Sequence, residues 1–328
     1  MNGVTIYSKL MYRWLVVLVL SASSTFVLAQ TWPAKPVRIM VSYAPGGVTD
    51  TIARWVAQPL GEALGQSVVV ENRPGASGVI GTEIVAKAPP DGYALLMFVD
   101  GNSMMTAAIK GLQHDPVKSF SQITLLGRGS LVIVAHPSFP ANTLQELIQY
   151  AKRNPGELSF ATPGKSGPQH LTFESIKTLG GFKAEHIPYK GGGQAIVDVV
   201  AGQVKIGVLG MAPSLPHIKA GKLKAIAVTG RDRAPALPEV PTVAETFPGF
   251  EVAQWQGLVA PAGTPPAVIA RLHAELVRIM RMPAIVEKLA SIGMDNSTSA
   301  TPEEFTQWVQ KETVRWPALF KAAGIVPE

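Results

Sequence analysis

Two glycine-rich turns carry residue types that could hold an anion without a charged side chain. They are Ala44-Pro45-Gly46-Gly47-Val48-Thr49-Asp50 and Thr162-Pro163-Gly164-Lys165-Ser166-Gly167-Pro168-Gln169-His170. Each follows an apolar, strand-like run, Val37–Tyr43 and Leu158–Ala161, and each opens an amphipathic helical pattern. Glycine lets a backbone come close to a ligand. The first turn of a helix holds N–H groups without intrahelical partners, at the positive end of the dipole. Such ends attract anions. Either turn alone reads equally well as an ordinary βα connection. The pair, far apart in sequence, predicts two domains gripping one small anion. A side chain at Gly47 is then expected to crowd the anion or to be refused by a positive φ.

Residues beside the turns have two readings each. Asp50, at a helix start, is a cap first and an i,i+4 partner of Arg54 second. His170 reads equally as a structural residue and as part of a site. Ligands of open parallel sheets sit beyond the carboxyl ends of the strands. That rule points to the loops after Ser42, Val70 and Val99, the last being Asp100-Gly101-Asn102-Ser103.

Catalytic and cofactor motifs fail one by one. Gly164-Lys165-Ser166 lacks the P-loop glycine five residues earlier, where Ser159 stands. Gly127-Arg128-Gly129 lacks the third glycine of a dinucleotide fingerprint, because Val132 holds that place. No G-x-S-x-G elbow exists. The six histidines, at 114, 136, 170, 186, 217 and 273, include no i,i+4 pair for zinc. No metal and no cofactor is expected, and the turns offer backbone N–H and hydroxyl groups rather than an acid or base.

Strands alternate with helical patterns, which is an α/β signature. Strands are expected at 37–42, 68–70, 95–99, 131–135, 158–161, 204–209, 223–229 and 258–260. Helices are expected from Ile52 to Leu60, up to about Lys87, over 143–152, and around Ile196–Val200. The tail is helical, with openings at Pro265-Pro266, at Pro283 and at a capping box, Thr301-Pro302-Glu303-Glu304.

The first 29 residues read as an export signal. Lys9 and Arg13 precede the apolar run Trp14–Leu20, and Val27-Leu28-Ala29 is a small-x-small cleavage site before Gln30. The run is too short for the roughly 20 residues of a spanning helix. The rest suits two domains of ordinary size. The chain has 328 residues, no cysteine and a net charge of +6, of which Lys9 and Arg13 supply two. No cluster of Lys and Arg with interleaved aromatics exists, so no nucleic-acid partner is expected. A mild positive bias favours encounter with anions.

Taken in order, several short motifs resemble the Bug family, the extracytoplasmic receptors of tripartite tricarboxylate transporters. They are Ala44–Asp50, Glu71–Gly78, Pro90-Asp91-Gly92-Tyr93, Gln169-His170-Leu171, Pro188-Tyr189-Lys190-Gly191, Ala220–Ala225, Val240-Pro241-Thr242, Trp255-Gln256-Gly257-Leu258 and Ala260–Pro265. The resemblance implies an α/β, two-domain Venus-flytrap periplasmic binding protein fold with two crossing strands. Residues 30–130 plus 255–328 would form one domain and 131–254 the other. It also implies a carboxylate pincer of Gly46, Gly47, Thr49, Ser166, Gly167 and Gln169, with Tyr43 as a wall. The distal part of the ligand would meet Asp100, Asn102, Ser103 and the stretch after Ile206. Asp50 and His170 complete the candidate set. The expected partners are a small carboxylate and inner-membrane transporter subunits, with the protein a monomer in the periplasm. A sensor subunit and an exported enzyme acting on a small anion are the competing readings. Three departures from the pattern are Ser42 for a frequent proline, Lys165 where uncharged residues are usual, and the plain Gly207-Val208-Leu209-Gly210.

Overall fold

The computed structural model describes residues 32–324 apart from Ser166 and Lys190. The expected signal segment and Ser166 therefore lie outside the described residues. All elements below belong to the unit that begins at Lys35.

The first elements run β1 (Val37–Val41), α1 (Val48–Leu64), β2 (Val68–Asn72), α2 (Val79–Ala86), β3 (Ala94–Val99) and α3 (Asp100–Ala108). A 16-residue strand, β4 (Phe120–Ala135), follows. Then come α4 (Leu144–Arg153), β5 (Ser159–Thr162), α5 (Pro168–Gly180), β6 (Glu185–Pro188), α6 (Gly192–Val200), β7 (Ile206–Gly210), α7 (Met211–Lys219) and β8 (Lys224–Val228). The chain ends with β9 (Ala253–Pro261), α8 (Pro266–Met280), α9 (Pro283–Ser291), β10 (Met294–Asn296) and α10 (Pro302–Ala322).

β4 belongs to two sheets in turn. Its residues 120–130 pair antiparallel with β9, in a sheet that continues through β3 and β1 to β2 and takes β10 on β4. Its residues 131–135 pair with β7 and β8, in a sheet that continues through β5 to β6. The exchange falls between Ser130, opposite Ala253, and Leu131, opposite Gly210. The strands β1, β2 and β3 are parallel to one another, as are β5, β6 and β7.

Side chains of a strand alternate between faces, and the core obeys this. Ile133, Phe160, Ile206 and Val208 pack with Phe173 and Leu147 on one face of the second sheet. Val132, Val134, Ala161 and Leu209 pack with Ala195 and Val199 on the other. In the first sheet Leu96, Phe98, Trp255 and Val259 share a cluster with Phe305 and Val309 of α10.

Three expectations are corrected. The strand at 131–135 is the second half of one that starts at Phe120, because Gly127 and Gly129 do not break it. A Cβ there would stand 2.9 Å from the Asp295 carbonyl and 2.8 Å from the Gly293 carbonyl, so glycine admits β10. The strand at 258–260 begins at Ala253, with Gln254 and Gln256 buried despite their polarity and Gly257 making room for the Phe305 ring. Asp100–Ser103 is the first turn of α3 rather than a loop.

Candidate functional site

The first glycine turn joins β1 to α1. Gly47 is the N-cap, and no side chain caps the helix. Its φ is −78°, an ordinary value, whereas Gly46 has φ +85°. The left-handed residue is thus Gly46, which corrects the expectation for Gly47. A Cβ on Gly47 would meet nothing closer than the Ala44 carbonyl at 3.9 Å.

Asp50 is buried in the first turn of α1 and ties the turn together. Its carboxylate accepts from the Gly46 amide at 2.9 Å, from Arg54 Nε at 3.1 Å and Nη2 at 2.9 Å, and from Asn72 Nδ2 at 2.9 Å. Asn72 also donates to the Tyr43 carbonyl at 3.1 Å. The Gly46 amide is therefore spent internally. The amides of Gly47, Val48 and Thr49 remain at the helix start, where an α-helix supplies no partner. Burial alone would raise the Asp50 carboxyl, but Arg54, the Gly46 amide and Asn72 outweigh it and hold it below the usual carboxylate range.

Tyr43 brings three loops together. Its hydroxyl end lies against Gly78 and Gly101, where added Cβ atoms would stand 3.2 Å and 2.5 Å from the phenol oxygen. Burial, reinforced by nearby Asp100, pushes this phenol well above the tyrosine range. Asn102 accepts from the Val99 amide at 2.7 Å and donates to Thr82 Oγ1 at 2.7 Å. Ser103 donates to the Asp100 carbonyl at 2.8 Å and accepts from Trp316 Nε1 at 2.9 Å. Both side chains are fully enclosed. They lock the start of α3. Asp100 accepts from its own amide and those of Gly101 and Trp255, so the amides of this helix start are used internally.

The second glycine turn joins β5 to α5. Gly167 is its N-cap, again with no capping side chain, and Pro168 fills the first helical position. Pro168 has no N–H, so Gly167 and Gln169 supply donors here. The start of α5 sits beside α3 and α10: Leu171, Met104, Trp316 and Phe320 share one buried cluster. By contrast α4 and α10 begin at threonines whose hydroxyls accept from the Glu146 and Glu304 amides, each at 3.2 Å. At α10 the capping box is half made, because Glu304 reaches the Ala300 amide instead of Thr301.

Sequence reasoning missed the surroundings of His170. Its ring stacks on His186 with centroids 3.8 Å apart and planes 13° apart. Its Nε2 lies 3.5 Å from Glu174 Oε1, and Glu174 accepts from Lys177 at 2.8 Å. His186 Nε2 lies 2.7 Å from Thr162 Oγ1, which donates to the Gly164 carbonyl at 2.7 Å. The two histidines are 16 positions apart and meet only because β6 pairs with β5. Lys165 is exposed on the turn.

The family described as "Tripartite tricarboxylate transporter family receptor" matches residues 52–325. The chain belongs to that family. Protein BugT of Bordetella pertussis is 35% identical over 301 residues, covering 91% of this chain and 92% of that protein. The structure of an R. palustris protein with adipate matches with a TM-score of 0.85 at 32% identity, covering 90% of this chain and 100% of the other. MatC from Rhodopseudomonas palustris with bound malate gives 0.81 at 30% identity, covering 88% and 99%. This receptor has the two-domain fold of the periplasmic binding proteins. Among its described residues no helix is long and apolar enough to cross a membrane.

The receptor's strand ends meet where its sheets exchange. Val99, at the end of β3, pairs with Gln256, and Gly210, at the end of β7, pairs with Leu131. Both fall within a few residues of the 130/131 exchange, which brings the carboxyl ends of both parallel sets to one level. Behind them, burial raises Asp100 to about 7, with Glu312 adding to the shift. Burial also raises Glu312, although Arg315 opposes it at 3.0 Å. Burial, then neighbouring His170, lowers His186 to about 4.

Proposed function

We propose that this receptor captures a small carboxylate between the starts of α1 and α5, through backbone donors at Gly47, Val48 and Thr49 on one side and Gly167 and Gln169 on the other. The observation that carries this is that α1 and α5 both start at glycine N-caps without side-chain caps, each beyond a parallel strand, a start that α6 at Gly191 and α7 at Gly210 share. Such ends favour anions through their free donors and dipole. Gly46 and Asp50 shape the first turn, Tyr43 walls it, and Asn102, Ser103 and Asp100 brace the start of α3. Ser166 and His170 belong to the second turn. The hinge runs through the β4 and β9 crossing, dividing residues 30–130 plus 255–328 from 131–254.

Residues 1–29 direct export and are removed, so the receptor works as a monomer in the periplasm and hands its ligand to inner-membrane transporter subunits. It turns nothing over, since the turns offer mainly backbone N–H and hydroxyl groups, which bind an anion but do little proton transfer. The adipate and malate in the two solved relatives support a dicarboxylate as the first ligand to try. Thermal-shift screening of residues 30–328 against mono-, di- and tricarboxylates tests the reading. A ligand at 100 times its dissociation constant adds about 2.7 kcal/mol to stability. A panel in which no carboxylate moves the melting curve, with co-purified ligand removed by refolding, sinks it.

A further inference from the structure

The second turn contains a hydrogen-bond relay whose direction can be assigned from chemistry alone. A threonine hydroxyl has one proton, and a carbonyl can only accept. Thr162 Oγ1 gives its proton to the Gly164 carbonyl at 2.7 Å. Toward His186, 2.7 Å away, the same oxygen must accept, so His186 Nε2 carries the proton. The relay runs from His186 to Thr162 to the Gly164 carbonyl.

Thr162 is fully buried. Its backbone is held as well: it ends β5, and its carbonyl accepts from the Tyr189 amide at 2.9 Å. The His186 ring is fixed by stacking on His170 at 3.8 Å and on Phe160 at 4.9 Å. Gly164 has no Cβ to restrict its peptide, so its carbonyl orientation depends on what it bonds. Released from Thr162, that oxygen is free to turn toward the start of α5, which begins four residues on at Pro168, and would repel an anion held there. Turned onto Thr162, it is withdrawn, and the turn presents N–H groups instead.

We propose that Thr162, oriented by His186, is a positioning residue for the anion site: it keeps the Gly164 carbonyl out of the cleft. This deepens the reading given under the proposed function and rests on it. The consequence is that carboxylate affinity depends on a hydroxyl that never touches the ligand.

The test is calorimetric titration of residues 30–328 with the carboxylate that shifts the parent's melting curve most, across Thr162→Val, Thr162→Ser and His186→Phe. Thr162→Val keeps the shape and removes the donor, and its expected affinity loss is about 10-fold, the upper end for one hydrogen bond. Thr162→Ser restores the hydroxyl and is expected to bind within about 2-fold of the parent, a rescue that general loosening of β5 would not show. His186→Phe keeps the stack but frees the hydroxyl to rotate, and an intermediate loss is expected. Parent-like binding by Thr162→Val overturns the inference, and so does equal weakening of the Val and Ser variants. A parent that binds no carboxylate overturns the underlying reading instead, which separates the two failures.

Discussion

At the residue scale, the two glycines of the first turn do different work. Gly46, at φ +85°, is required by its backbone, and a Cβ there would meet no atom within 4 Å. Gly46→Ala is therefore expected to cost about 1–2 kcal/mol from the left-handed conformation alone, read as a lower denaturant midpoint with unchanged slope. A buried carboxylate gives the second expectation. Asp100 in the folded state holds its proton up to about pH 7, far above an unfolded aspartate. A raised folded pKa stabilises below the unfolded value, and that stability is lost as pH rises toward 7. Asp100→Asn should flatten the decline in melting temperature between about pH 4 and pH 8 and raise stability at the alkaline end. A variant that keeps the parent's pH slope would place that titration elsewhere. The burial of Asp100 was not legible in sequence, where it reads as a loop carboxylate beyond a strand and, by the family resemblance, as a contact for the distal part of the ligand.

At the element scale, what the sequence displayed was local. The apolar runs of β1 and β3, the helical face of α1 and the threonine opening α10 all announced themselves. The long strands hid behind their glycines and glutamines, which look like breaks until β10 and Phe305 are seen filling the space. The glycine turns were visible; what fixes them was not. Asn72, 22 residues from Asp50, completes the first turn through β2 pairing. His186, 24 residues from Thr162, completes the second. Asp50→Ala should leave the Gly46 amide and one N–H of Asn72 without their acceptor, costing about 1 kcal/mol, and should weaken carboxylate binding too. Calorimetry and melting of the same variant check both. A variant that melts early yet binds normally would show that the turn's shape is set elsewhere.

At the scale of the whole molecule, the proposed hinge lies at the two-sheet exchange on β4, and bending is expected at Gly127–Val132 and Ala253–Gly257. Small-angle scattering is expected to show a smaller radius of gyration with saturating ligand, and an unchanged profile would argue for a rigid pocket. The membership of the family was legible because motif order survives where single motifs say little. Ligand identity was not, because donors from backbone amides look the same in any sequence. The central claim is that amides, not a charged side chain, hold the carboxylate. It is tested most directly by calorimetric titration of the parent, Gly47→Val and Lys165→Ala with one carboxylate. A Cβ at Gly47 meets nothing closer than 3.9 Å and Val is a poorer N-cap by about 1 kcal/mol, so Gly47→Val should fold, while its side chain crowds the carboxylate at the α1 amides and leaves no binding heat. Lys165→Ala should lose no more than about 1 kcal/mol of binding, as an exposed charge does. Normal binding by Gly47→Val with loss of binding in Lys165→Ala would contradict the claim and make the site one of charge.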